Sequence, residues 1–115
     1  MHDDPTFGPV VMFGLGGIFV EVLKDVTFRV APFGVGEARR MIRDIRSHAV
    51  LDGVRGAPPA DVDALARLLS DLSRFASAHR DRIASIDLNP VRVMPQGQGV
   101  LALDAVLEFK PEGRE

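Results

Sequence analysis

The chain has 115 residues, 46% hydrophobic and 26% charged, the composition of one globular domain able to bury a core. It has no cysteine, which excludes a disulfide framework, a thiolate nucleophile and every cysteine zinc site. The 14 basic residues (only two of them Lys) face 16 acidic ones for a formal charge of -2, and Tyr and Trp are absent, so a nucleic-acid surface is not expected. No apolar stretch approaches the ~20 residues of a membrane span, and no basic n-region opens the chain. The default expectation is a cytoplasmic protein without membrane contact.

Residues 1–8 are polar and turn-rich and read as a flexible N-terminal segment, with 9–109 as the folded domain and 110–115 as a tail. Val10-Val11-Met12-Phe13 is a buried-strand signature, expected to stop at Gly14-Leu15-Gly16-Gly17. Two more apolar runs follow, Ile18 to Leu23 and Val26 to Ala31, with Lys24-Asp25 between them, the pattern of a hairpin. The period then changes. Ala38, Met41, Ile42 and Ile45 recur at helical spacing among four arginines. A Gly/Pro loop over 52–59 precedes a second helix, whose stripe is Val62, Leu65, Leu68, Leu69, Leu72, Phe75 and Ala76; Pro58-Pro59 suits its start. Ile83 to Leu88 reads as a strand, Asn89-Pro90 as its end, and Val91 to Met94 with Gly99 to Leu107 as a closing hairpin. The predicted order is βββααβββ, an α+β layout with an antiparallel-rich sheet and two main helices packed on it.

Asp87 and Asn89, two apart on a strand, leave the same face. A turn centred between Gln96 and Gly97 makes paired positions sum to 193. Asn89 then faces Asp104, with Cβ atoms about 4.5–5.5 Å apart. Three hard oxygen donors suit Mg²⁺, which takes few carboxylates; a plain polar edge with an Asn-Pro turn is the alternative. The closely spaced Gly14, Gly16 and Gly17 could bring backbone N–H groups to a phosphate, or form an ordinary turn. They are neither a Walker A loop nor a dinucleotide fingerprint. Glu21 is costly in an apolar strand unless paired, and Arg29 is its natural partner, as a structural ion pair or as a pair facing a phosphate or metal. His2, His48 and His79 have no partner at ligand spacing.

Taken together, Asp4 to Val22 with its Gly-Pro-Val-Val-Met-Phe-Gly-Leu-Gly-Gly block, Val26 to Pro32, Leu51 to Gly56, Ile86-Asp87-Leu88-Asn89-Pro90 and Ala102-Leu103-Asp104-Ala105 resemble one family. The likeness is to the C-terminal half of the ATP-grasp domain of NDP-forming (ADP-forming) acyl-CoA synthetases. These are relatives of the succinyl-CoA synthetase β subunit and of acetyltransferase-fused ATP-grasp domains. The resemblance implies ATP and Mg²⁺ as cofactors, with phosphate passing through a phosphohistidine and an acyl phosphate. Carried over, Asp87, Asn89 and Asp104 would be the metal residues, and Gly14, Gly16, Gly17, Glu21 and Arg29 would line the phosphate end of the cleft. No histidine here matches the phosphohistidine, and neither Lys24 nor Lys110 lies in a matching nucleotide motif. The resemblance therefore implies a missing ATP-grasp lobe and CoA-binding or ligase domains as partners. It also implies an acid–CoA ligase part that is inactive alone, with self-association of an uncovered face. The alternative is a non-catalytic module that keeps the fold and binds a partner chain.

Overall fold

The computed structural model describes residues 8–15, 26–46, 48–53 and 58–111. Along these run β1 (Val10–Leu15), β2 (Val26–Val30), α1 (Val35–Arg43), a 3-10 turn (His48–Asp52), α2 (Val62–Ala78), β3 (Ile83–Val93), β4 (Val100–Ala102) and β5 (Ala105–Phe109). The five strands form one sheet with two helices on one face, the α+β architecture expected. Three of its four strand pairings are antiparallel; β1 and β3 run parallel. The expected strand over Ile18–Leu23, and its hairpin with the next, lie outside the described residues.

β3 holds the sheet together. One edge carries β1, and the other carries β4 and β5 end to end. Ile83, Ile86, Leu88 and Val91 are buried against the helices with Val11, Phe13 and Leu15 of β1. Opposite them lie Ala38, Met41, Ile42, Leu65, Ala66, Leu69 and Ala76 of α1 and α2. The helical layer is tied to the β2–α1 connection by polar groups that leave no debt: Ser70 Oγ donates to Phe33 O at 2.9 Å, and Phe33 N donates to Ser73 Oγ at 3.0 Å.

Several boundaries differ from expectation, each for a physical reason. β1 continues through Gly14 and Leu15, because Leu15 is buried and pairs with Val91. The strand does not end at Asn89-Pro90 either. The ladder absorbs the proline as an irregularity, with Asn89 and Pro90 both lying between Leu88 and Val91 where β1 has only Gly14 between Phe13 and Leu15. Asp87 and Asn89 therefore sit on an interior strand, not at a sheet margin. The run 99–107 is split into β4 and β5 by Leu103 and Asp104. α2 starts at Val62 with Asp61 as its cap rather than at Pro58-Pro59, and Phe75, expected on the buried stripe, is 47% exposed.

A carboxylate-amide cluster on the open face of the sheet

Register decides which side chains meet. In both β3–β4 and β3–β5 the paired positions sum to 193, from Val93↔Val100 to Ser85↔Glu108. Across the break, Leu103 N–H donates to Pro90 O at 3.0 Å, which keeps the same sum. Asn89 thus stands across from Asp104, as the turn arithmetic requires. Because Ile86 and Leu88 point at the helices, Asp87 and Asn89 point away from them, onto the face that no described helix covers.

Asp87 is flanked in the sheet by Met12 on β1 and Val106 on β5. These apolar neighbours shield it: its Oδ1 is buried and has no hydrogen-bond partner among the described residues. Burial first, and the negative charge of Asp104 second, push the Asp87 carboxyl above the usual carboxylate range.

Asn89 owes its place to a missing atom. A Cβ built on Gly14 would lie 2.6 Å from Asn89 Oδ1, 3.0 Å from its Cγ and 3.1 Å from Val26 Cγ1. Only glycine lets the amide lie across β1 there. The residue picked out as a phosphate-approaching glycine is, in the structure, the floor under an amide oxygen. Gly16, Gly17 and Glu21 lie outside the described residues.

Arg29 is separated from this cluster. It pairs with Val11 in the sheet, so it leaves from the helix-covered side. There its Nε donates to Glu37 at 2.8 Å and its Nη2 to Asp44 at 2.5 Å, which raises the Arg29 pKa and lowers that of Glu37. These carboxylates, on and just after α1, make Arg29 an anchor between β2 and α1. Arg92, exposed on β3 beyond the Asn89-Pro90 irregularity, is a cation that leaves from the cluster's face. Its position follows from the register shift at Gly14, which the sequence does not announce.

Asp61 also lacked a sequence signal beyond its place before an apolar run. One carboxylate oxygen caps α2 through Ala64 N–H at 3.2 Å. The other accepts from Gly97 at 3.1 Å and Gly99 at 2.8 Å, across the β3–β4 turn. The Gly99 bond, and with it those of Ala64 and Gly97, holds this carboxyl below its ordinary pKa. It fastens the start of α2 to the hairpin that delivers Asp104.

No group of three or more His, Cys, Asp or Glu placed to hold a metal occurs among the described residues; the cluster is two carboxylates and an amide. Such a set fits Mg²⁺, which keeps several of its other ligands as water or phosphate oxygens. The orphaned Asp87 Oδ1 is the observation that favours a cation there.

An ATP-grasp domain profile matches residues 1–109. The chain belongs to the ATP-grasp family. It is 46% identical over 108 residues to a Pyrococcus furiosus acetate–CoA ligase (ADP-forming) II subunit beta, a match that covers 94% of this chain and 46% of that protein. A crystal structure from Pyrococcus horikoshii matches with TM-score 0.79 and 45% identity over 95% of this chain and 46% of that one. A Candidatus Korarchaeum cryptofilum dinucleotide-forming acetyl-coenzyme A synthetase 1, solved with coenzyme A and Mg-AMPPCP, matches with TM-score 0.74 and 42% identity, covering 93% of this chain and 49% of that one. This ATP-grasp chain thus spans about half the length of these relatives. None of its described helices is long and apolar enough to cross a membrane.

Proposed function

We propose that this chain supplies the Mg²⁺-phosphate half of an ATP-grasp site in an ADP-forming acid–CoA ligase, acting with the portion its relatives carry beyond the shared region. The buried, unpartnered Oδ1 of Asp87 beside Asn89 and Asp104 carries the reading. Asp87 and Asp104 would offer carboxylate oxygens, and Asn89 its amide Oδ1. A divalent cation bound there would neutralise phosphate charge during transfer. The chain's own residues would orient: Gly14 keeps the amide low over β1, and Asp61 fixes the turn that leads into Asp104. Gly16, Gly17 and Glu21, which come after β1 in the sequence, would border the phosphates. ATP would be the nucleotide, gripped weakly by this chain alone, because phosphoryl transfer depends on a full shell of positioned cations.

The test needs no turnover. Mn²⁺, titrated into the chain as a paramagnetic stand-in, should broaden the amide resonances of residues 87–89 and 103–105 before any others. Asp104→Asn should weaken that broadening about tenfold. Uniform broadening across the surface, unchanged by the substitution, would refute the metal assignment. Calorimetry of Mg-ATP into the chain, with and without the portion of a relative that lies outside the shared region, tests the shared-site part separately.

A further inference from the structure

The outer edge of the sheet carries a second kind of information. β5 is the last strand, with β3 on its inner side and no strand on its outer side among the described residues. All five of its residues are exposed, among them Val106 at 56%, Leu107 at 41% and Phe109 at 61%. Lys110 N–H donates inward to Arg82 O at 2.7 Å. Backbone groups alternate along a strand, so those of Val106 and Glu108 also turn inward, and those of Ala105, Leu107 and Phe109 face outward. Such an edge is a template for another strand.

We propose that β5 docks against β5 of a second copy of this chain, antiparallel, with Leu107 opposite Leu107. The charges choose this register over its neighbours. Outward groups must face outward groups, which leaves Leu107 opposite Ala105, Leu107 or Phe109. The first choice sets Asp104 against Glu108, and the third sets Glu108 against Glu108; like charges directly opposite are destabilising. The second sets Asp104 against Lys110 twice, by symmetry, with Ala105 against Phe109 and Val106 against Glu108. Asp104 and Lys110 stand three residues either side of Leu107, the spacing a two-fold axis through that residue requires. Every outward N–H and C=O of β5 then finds a partner, and the exposed Leu107 and Phe109 gain apolar neighbours across the seam.

Analytical ultracentrifugation of the chain in EDTA, from sub-micromolar to millimolar protein, tests this without any bound metal. A dimer is expected. Lys110→Glu should raise its dissociation constant about tenfold, and adding Asp104→Lys should restore it. Leu107→Pro removes an outward N–H and no inward one, so it should yield a monomer with an unchanged circular dichroism spectrum. Should that variant not fold, the charge reversal and its rescue decide. A monomer at every concentration, as when another chain or segment takes this edge, would overturn the proposal. So would a dimer indifferent to the charge reversal.

Discussion

The two faces of the sheet use the same strands for opposite ends. On one, Val11, Phe13, Ile86 and Leu88 alternate inward and are at most 3% exposed beneath α1 and α2. On the other, the intervening residues of those strands are Met12, Gly14, Asp87 and Asn89, left without a helical cover among the described residues. The covered face satisfies all its needs by packing. The open face keeps an orphaned carboxylate oxygen and an amide oxygen held over a glycine. Alternation at period two thus places stability and chemistry one residue apart, and substitutions one residue apart should have opposite consequences.

The largest expected effect is on the covered face. Phe13 is fully buried between β2 and β3 and under the helices, so Phe13→Ala should cost about 3–5 kcal/mol in a denaturant titration. A loss below about 1 kcal/mol would mean that the helical layer does not seal this face.

Asp61 links the layers, and its removal ranks next. Asp61→Ala strips the cap from α2 and leaves the Gly97 and Gly99 N–H groups unpaired, so the melting temperature should fall by several degrees. The sign of its pH dependence follows from the lowered pKa. The unfolded chain binds this proton at the ordinary carboxylate pKa, the folded one only at lower pH. The stability Asp61 contributes is therefore complete above the ordinary range and drains away as pH falls through the depressed value. Melting curves from neutral to acidic pH should converge for the native chain and Asp61→Ala. Parallel curves would deny the carboxylate this role.

A smaller effect is expected at Gly14, on the open face. Gly14→Ala places a methyl where Asn89 Oδ1 now lies, at a cost of about 1 kcal/mol. If the clash is with the amide itself, Asn89→Ala should relieve it, and the two changes should be strongly non-additive. Simple additivity would place the strain at Val26 instead.

The legible parts of this molecule are those fixed by local period and turn arithmetic. The helical stripes apart from Phe75, the presence of β1 and the sum of 193 across the last hairpin follow from spacing alone. They sufficed to bring Asn89 opposite Asp104. What spacing cannot show is which strand lies on the other side. The parallel pairing of β1 with β3 is a long-range choice; it made Asp87 interior, buried its oxygen between Met12 and Val106, and set Gly14 under Asn89. The same blindness affected Arg29. Its nearest acidic residue in the strand pattern was Glu21, but the fold offers Glu37 and Asp44 from α1 and the turn after it. Asp61 was hidden for a related reason, since its glycine partners lie in a turn that only tertiary structure brings near.

The smallest effect, with the opposite sign, sharpens the contrast between faces. Asp87 lies one position from the buried Ile86 and Leu88, yet its carboxylate is shielded by Met12 and Val106 and has no described partner for Oδ1. Burial of such a group without compensation costs free energy, and the charge of Asp104 adds to that cost. Asp87→Asn keeps the shape and removes the charge. In metal-free buffer at neutral pH it should therefore leave the fold intact and raise its stability, by no more than about 1 kcal/mol. The same substitution should abolish preferential Mn²⁺ broadening at residues 87–89. A residue kept for packing would show the reverse: lost stability and unchanged metal response. Gain of stability with loss of binding is the signature of a side chain held in an unfavourable place for its chemistry, and a chemical-denaturation curve beside a Mn²⁺ titration reads both.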